Sequence, residues 1–261
     1  MRNQVLTLCV VALLAGPVLA QGSDLGVTVD ATWVSKYIWR GLDLGDNKAA
    51  FQPSVEFDLW GSGFSTKLWG TWLGGPTNGP EANLPTEKLE YSLTYANSVN
   101  KGDTTQLDYA LTYTYADYYT TSSSDFDYQD LALSLAWPQV FGGELIPHYT
   151  LAYSWSGRPG PTTGWLTSGA EGFVHMPGVD YKFNMGEQRM TFSANAIFND
   201  GVYGEDVDHD WVAIVWGLST SFKCPMTGAK ITPSLYYQTS MDDSVNENDE
   251  FWTGLSYTYK F

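Results

Sequence analysis

Phe251-Trp-Thr-Gly-Leu-Ser-Tyr-Thr-Tyr-Lys-Phe261 decides the fold. Every second residue, Phe251, Thr253, Leu255, Tyr257, Tyr259 and Phe261, falls on one face, while Trp252, Gly254, Ser256, Thr258 and Lys260 fall on the other. That is a strand of period two. One face is apolar with aromatics at both ends, and the other is mostly small and polar, which suits a strand with lipid outside and water inside. The competing reading is an edge strand of a soluble sandwich.

Working outward, twelve runs of this kind are expected near 25–40, 50–60, 64–73, 87–96, 104–115, 127–137, 144–155, 171–185, 189–200, 210–223, 229–241 and 251–261. Each is close to the roughly ten residues of a tilted membrane strand. In the fourth, Leu89, Tyr91, Leu93 and Tyr95 oppose Lys88, Glu90, Ser92 and Thr94. The tenth sets Val212, Ile214, Trp216, Leu218 and Phe222 against Ala213, Gly217, Ser219, Ser221 and Lys223. Connections alternate as well: 61–63, 97–103, 138–143, 186–188 and 224–228 are short, while 41–49, 74–86, 116–126, 156–170, 201–209 and 242–250 are long. A soluble sandwich has no reason to sort its connections this way. The expected fold is therefore all-β: a closed antiparallel transmembrane β-barrel of about 12 strands, with short periplasmic turns and long extracellular loops. An even strand number puts both chain ends in the periplasm, and the last strand, ending on Phe261, is the expected handle for the outer-membrane assembly machinery.

Residues 1–20 carry Arg2, an apolar run from Val5 to Leu14 and Gly16-Pro-Val-Leu-Ala20, which read as a signal peptide cleaved after Ala20. The remainder, 21–261, reads as a single outer-membrane barrel domain. Removing the leader takes Arg2 and Cys9 with it. That leaves 12 basic residues against 29 acidic, a formal charge of −17, and Cys224 alone, so no disulfide framework is expected. Mean hydropathy is −0.21, and nothing after Ala20 approaches the roughly 20 consecutive apolar residues of a spanning helix. The acidity excludes nucleic acid as a partner, since that binding needs a basic surface. The expected partners are outer-membrane lipid and small hydrophilic solutes.

The stretch Val34-Ser-Lys-Tyr-Ile-Trp-Arg-Gly41, with Asn47, Phe51-Gln-Pro53, Gly63-Phe64 and Lys67-Leu-Trp69, resembles the opening of the TorF-like family of outer-membrane porins. The resemblance covers roughly the first fifty mature residues and departs from the family pattern at Gln52-Pro53. It implies a channel-like outer-membrane protein of undefined substrate, with no catalytic residue to carry over. From the residues alone, strand one places Tyr37 and Trp39 outward and Lys36 and Arg40 inward, and pairs Arg40 with Glu56 or Asp58 on strand two.

Strand parity points Asp30, Lys36, Arg40, Glu56, Asp58, Lys67, Lys88, Glu90, Asp108, Asp130, His148, Asp180 and Lys182 into the lumen. Glu205, Asp206, Asp208, Asp242, Asp243, Glu247, Asp249 and Glu250 are expected to form an acidic extracellular rim. These features imply a porin-like channel for passive diffusion of small hydrophilic solutes, favouring cations. Two alternatives remain open: a plugged structural or adhesive barrel that works through its loops, and an outer-membrane lipid hydrolase. The hydrolase needs a histidine beside a serine and an acid. His175 has outward parity near the outer end, but the outward residues beside it, Tyr153, Trp155, Ala196 and Phe198, include neither, so no catalytic residue is assigned. Glu205-Asp-Val-Asp-His-Asp210 is rich in oxygen ligands but breaks the calcium-loop order at Trp211 and Gly217. No metal or cofactor is expected.

Overall fold

The structure, a computed structural model, describes residues 25–74, 87–119, 127–157, 171–204 and 207–261. The expected signal segment, most of 74–86 and 156–170, and the rim residues Glu205 and Asp206 lie outside the described residues.

Twelve antiparallel strands follow one another: β1 (Gly26–Val34), β2 (Ala50–Asp58), β3 (Phe64–Gly70), β4 (Leu89–Val99), β5 (Leu107–Asp117), β6 (Tyr128–Ala136), β7 (Leu145–Ser156), β8 (Gly172–Met185), β9 (Gln188–Asp200), β10 (Trp211–Thr220), β11 (Lys230–Ser240) and β12 (Glu250–Lys260). β3 resumes after Thr71 as Trp72–Leu73, and β10 resumes after Ser221 as Phe222–Lys223. Each strand pairs with the next, and β1 closes the ring by pairing β12 from Thr28↔Lys260 to Val34↔Gly254. Closure satisfies every ladder and leaves no open edge, which a sheet surrounded by lipid requires.

Burial is inverted relative to a soluble protein. Leu93, Leu111, Leu131, Leu133, Leu235 and Leu255 are exposed on the outer face, whereas Lys88, Asp130, Ser154, Asn199, Gln238 and Glu250 are buried inside. Outside a membrane, that arrangement would leave a continuous apolar surface in water. Two aromatic belts bound the apolar band. Near the short turns, Phe64 meets Tyr95 at 4.8 Å, Tyr95 meets Tyr109 at 6.3 Å, and Tyr259 meets Phe261 at 4.6 Å. Near the long loops, Tyr153, Phe173, His175, Phe198 and Trp211 run in a chain of ring contacts 4.8 to 6.5 Å long. Rings with a polar edge sit well at a lipid–water boundary.

Two departures from the sequence reading meet inside the barrel. β1 ends at Val34 rather than continuing to residue 40. Residues 38–39 and 42–43 instead form a miniature hairpin, Ile38–Trp39 against Leu42–Asp43, which folds back into the lumen. Tyr37 and Trp39 therefore do not face lipid: Tyr37 is buried in a cluster with Val34, Ala50 and Trp252, and Trp39 packs against Tyr128 at 5.7 Å. The second departure is a β-bulge in β10, where the register with β9 slips at Ile197/Phe198. An extra residue turns a side chain to the other face, and here Val212 turns inward to meet the hairpin instead of pointing out.

Candidate functional site

The hairpin's turn is short. Its two central residues, Arg40 and Gly41, have φ of 48° and 93°, the positive values that a two-residue type I′ turn requires. Glycine meets that condition freely, and no side chain would fit at position 41, because a Cβ there would lie 2.5 Å from Val212 Cγ1. Arginine does not adopt a left-handed backbone without cost, and such strain persists only where the surroundings enforce it.

Those surroundings are the lumen wall. Arg40 Nη2 donates to Asp130 Oδ2 at 2.8 Å and Nη1 to Ser154 Oγ at 3.0 Å, while Ser154 Oγ in turn donates to Asp130. The guanidinium also lies 4.4 Å from the Trp39 ring, a favourable cation–π placement. Burial, the largest single influence, works to lower the Arg40 pKa, but Asp130 together with Tyr128 and Tyr203 holds the group above its ordinary value. The hairpin backbone is held as well: Tyr203 donates to the Arg40 carbonyl, and Gln238 Nε2 and Asn246 Nδ2 donate to the Gly41 carbonyl at 2.8 and 3.1 Å. Lys36, at the hairpin's base, pairs with Glu250 at 2.5 Å. Asp43 accepts from the Gly45 and Asn47 N–H groups, and burial pushes its carboxyl above the ordinary carboxylate range.

A second cation braces the wall beside the hairpin. Lys88, with no exposed surface, donates to Glu90 at 2.7 Å and to the Tyr128 hydroxyl at 2.7 Å, and sits 4.8 Å from the rings of both Trp39 and Tyr128. Leu42 packs on the other side, against the cluster of Ala152, Val174, Ile197, Val202, Tyr203, Val212 and Ala213. The long-loop end of the barrel is thus filled by a core centred on Trp39, Arg40 and Leu42.

Below the hairpin the lumen is polar. Hydroxyl pairs line the wall, Ser92 with Thr114, Thr94 with Thr112, and Ser134 with Thr150, each at 3.0 Å. Toward the short turns a cavity of about 640 Å3 opens, lined in part by Asn97, Lys101, Asp108, Ser134, His148 and Thr150.

The registers show which of the thirteen lumen candidates come together. Arg40 meets Asp130, not Glu56 or Asp58: the hairpin carries it across the barrel, away from its neighbouring strand. Lys88 meets Glu90, and Glu56 lies opposite Lys67 across β2 and β3. Asp58 instead accepts from the Gly61 N–H at 3.0 Å and shapes a short turn. Asp30 accepts from Thr32 and Thr258, each at 2.6 Å. Asp108 and His148 line the cavity, and Asp180 lies 3.9 Å from His148. Lys182 lies opposite Thr191 on the inner side of β8 and β9. Of the rim acids, Asp208, Asp243, Glu247 and Asp249 are exposed and Asp242 is half-buried, with Asp249 accepting from Tyr237 at 2.5 Å. Glu250 is a correction: it is buried against Lys36 and adds nothing to the outer field. His175 Nδ1 meets the Tyr149 hydroxyl at 2.6 Å, and its Nε2 lies 3.6 Å from Asp200, which also bonds His209 at 2.9 Å. No serine hydrogen-bonds His148 or His175 among the described residues. Three side chains that fix the hairpin, Ser154, Tyr203 and Gln238, escaped the sequence reading. Each is polar and buried on the inner side, and only knowledge of what enters the lumen would have marked it.

A closed, twelve-stranded, antiparallel β-barrel with an inward hairpin defines the architectural class. The chain belongs to the Gcw_chp family, whose model, described as a bacterial protein of unknown function, matches residues 20–253. That match extends well beyond residues 34–69, which carry the TorF-like resemblance. In fold the chain is similar to the NanC porin, with 12% identity and a TM-score of 0.56 over 90% of this chain and 100% of that one. It is also similar to an outer membrane channel from Pseudomonas putida F1, with 9% identity and a TM-score of 0.52 over 91% and 94% of the two chains. A search of curated protein sequences finds no match.

Proposed function

We propose that this barrel lies in the bacterial outer membrane and passes small hydrophilic solutes by diffusion, with a preference for cations. One observation carries the reading: an exposed apolar band between two aromatic belts encloses a wall of hydroxyls and charges around a cavity of about 640 Å3. Lipid satisfies the outside and water the inside. In this reading the short turns and both chain ends face the periplasm, and the strand ending on Phe261 is what the assembly machinery recognises. The lumen charges Asp30, Glu56, Lys67, Asp108, His148, Asp180 and Lys182 line the path. Asp208, Asp242, Asp243, Glu247 and Asp249 bias the long-loop face toward cations, over about a Debye length, roughly 8 Å at physiological salt. No catalytic role is assigned to any residue.

Planar-bilayer recording tests this. Discrete conductance steps are expected, and under a salt gradient the reversal potential should shift toward the cation's equilibrium potential. Absence of steps from folded protein overturns the channel, and a shift toward the anion overturns the selectivity. The inward hairpin supports a second reading, a permanently closed barrel acting through its loops, which predicts silence under every condition.

A further inference from the structure

We infer that residues 36–44 form a hinged plug, which undocks as a unit from the lumen wall and so opens the long-loop mouth. This deepens the channel reading and rests on it for the consequence of opening.

Three observations point the same way. The first is how the plug is held. Among the described residues, the backbone-to-backbone hydrogen bonds of 36–48 stay within the segment, such as Leu44 N–H to the Tyr37 carbonyl and Lys48 N–H to the Gly45 carbonyl, and the ties from the hairpin backbone to the barrel are the three side-chain bonds from Tyr203, Gln238 and Asn246. Ser35 and Ala49, on either side of it, bond to the barrel, through the Thr253 carbonyl and the Gly74 N–H. The segment can therefore leave without breaking a single ladder bond of β1, β2 or β12.

The second is the chemistry of the contact. The strongest ties are ionic, Arg40 to Asp130 and Lys36 to Glu250. Taking two charges out of water costs much of what their attraction returns, so an ion-paired contact holds less firmly than apolar surfaces of the same shape. On release each of these groups regains water. Arg40 also gains freedom from its left-handed backbone, so part of the strain in the turn is relieved as the plug departs. Asp46 and Asn47, with φ of 47° and 60°, supply an unusual backbone at one foot of the hairpin, where a rotation would lift it.

The third is what the plug covers. A wall of paired hydroxyls and a polar cavity continue beneath it to the short-turn end. A barrel meant to stay shut would be more stable with that space packed by apolar side chains. Instead the dry core is confined to the level of the hairpin.

A reversible tether tests the inference. The position a Cβ would occupy at Gly41 lies 3.8 Å from Val212 Cβ, within the roughly 3.5–4.5 Å that a disulfide spans. Gly41→Cys with Val212→Cys is made in a Cys224→Ser background, since Cys224 is the free thiol of the described residues. In planar bilayers the oxidised barrel should be silent, and dithiothreitol should restore conductance steps. Equal conductance in the oxidised and reduced states overturns the plug and leaves the channel standing. Should both states be silent, hydrogen exchange on the unsubstituted barrel in micelles decides. Hairpin amides exchanging well ahead of those of β11 and β12 keep the hinged plug and remove the channel. Exchange as slow as that of those strands overturns the plug.

Discussion

Arg40→Met speeds hydrogen exchange at the hairpin amides of residues 36–44 by on the order of 10²- to 10³-fold while leaving the strand amides nearly unchanged. The reason lies in what remains behind. Asp130 and Ser154 are both buried, and removing the guanidinium strands a carboxylate that has no comparable partner in the docked state. Breaking a buried pair from one side costs about 3–5 kcal/mol, and each 1.4 kcal/mol is about a factor of ten in an opening equilibrium. Undocking returns Asp130 to water, so the cost falls on the docked hairpin and not on the barrel. A second substitution separates charge from shape: with Asp130→Asn added, the stranded charge is gone and much of the loss should be recovered. Exchange unaffected by Arg40→Met would show that the apolar contacts of Trp39 and Leu42 hold the hairpin by themselves.

Leu133→Arg destabilises the whole barrel by about 2–4 kcal/mol in urea titrations of protein folded into lipid vesicles. Leu133 is exposed on the outer face of β6, between Leu111 of β5 and Leu151 of β7. One pair further along each way, Tyr113 and Tyr153 flank Leu131, and Tyr109 and Tyr149 flank Leu135, so position 133 lies between the belts, where a cation has no water. Ser134→Arg is the control. It adds the same side chain one residue on, but into the polar cavity beside Asp108 and His148, and its effect should be small. Equal costs at the two positions would mean that lipid does not cover the outer face.

The staves were legible because their signal is local. A strand between lipid and water writes its environment into alternate residues, and runs such as Leu107-Asp-Tyr-Ala-Leu-Thr-Tyr113 state it without reference to any other part of the chain. The inward hairpin was not legible, for the same reason. Lys36-Tyr-Ile-Trp-Arg40 continues the alternation of β1, and period two does not distinguish a stave from a hairpin whose apolar side chains face a core inside the barrel. The Arg40-Gly41 pair carried the one local hint, since two residues between apolar neighbours can make a tight turn. Its arginine made that hint weak, because asparagine or aspartate is the usual first residue there.

Pairings were harder still. Arg40 and Asp130 are 90 residues apart, and Lys36 and Glu250 are 214 apart. A search for the nearest acid on the adjacent strand therefore selected Glu56 or Asp58 and put Glu250 in the rim. Val212 was misplaced because a bulge shifts parity by one residue without changing composition. Trp252, read on the small polar face of the last strand, is a shelf beneath the hairpin, stacked on Tyr236 at 5.2 Å. A lone tryptophan among Gly254, Ser256 and Thr258 was a clue that part of the inner face is dry.

Site-directed spin labels placed in turn at positions 131 to 135 of β6, in protein folded into lipid vesicles, test the account where it is most exposed. Oxygen, which concentrates in the bilayer, should relax the labels at 131, 133 and 135, and a water-soluble nickel chelate should not reach them. Labels at 132 and 134 should show the reverse preference or contact with protein, giving a period of two. Uniform accessibility along the five positions, or aqueous contact at 133, would contradict a barrel with lipid on its apolar face.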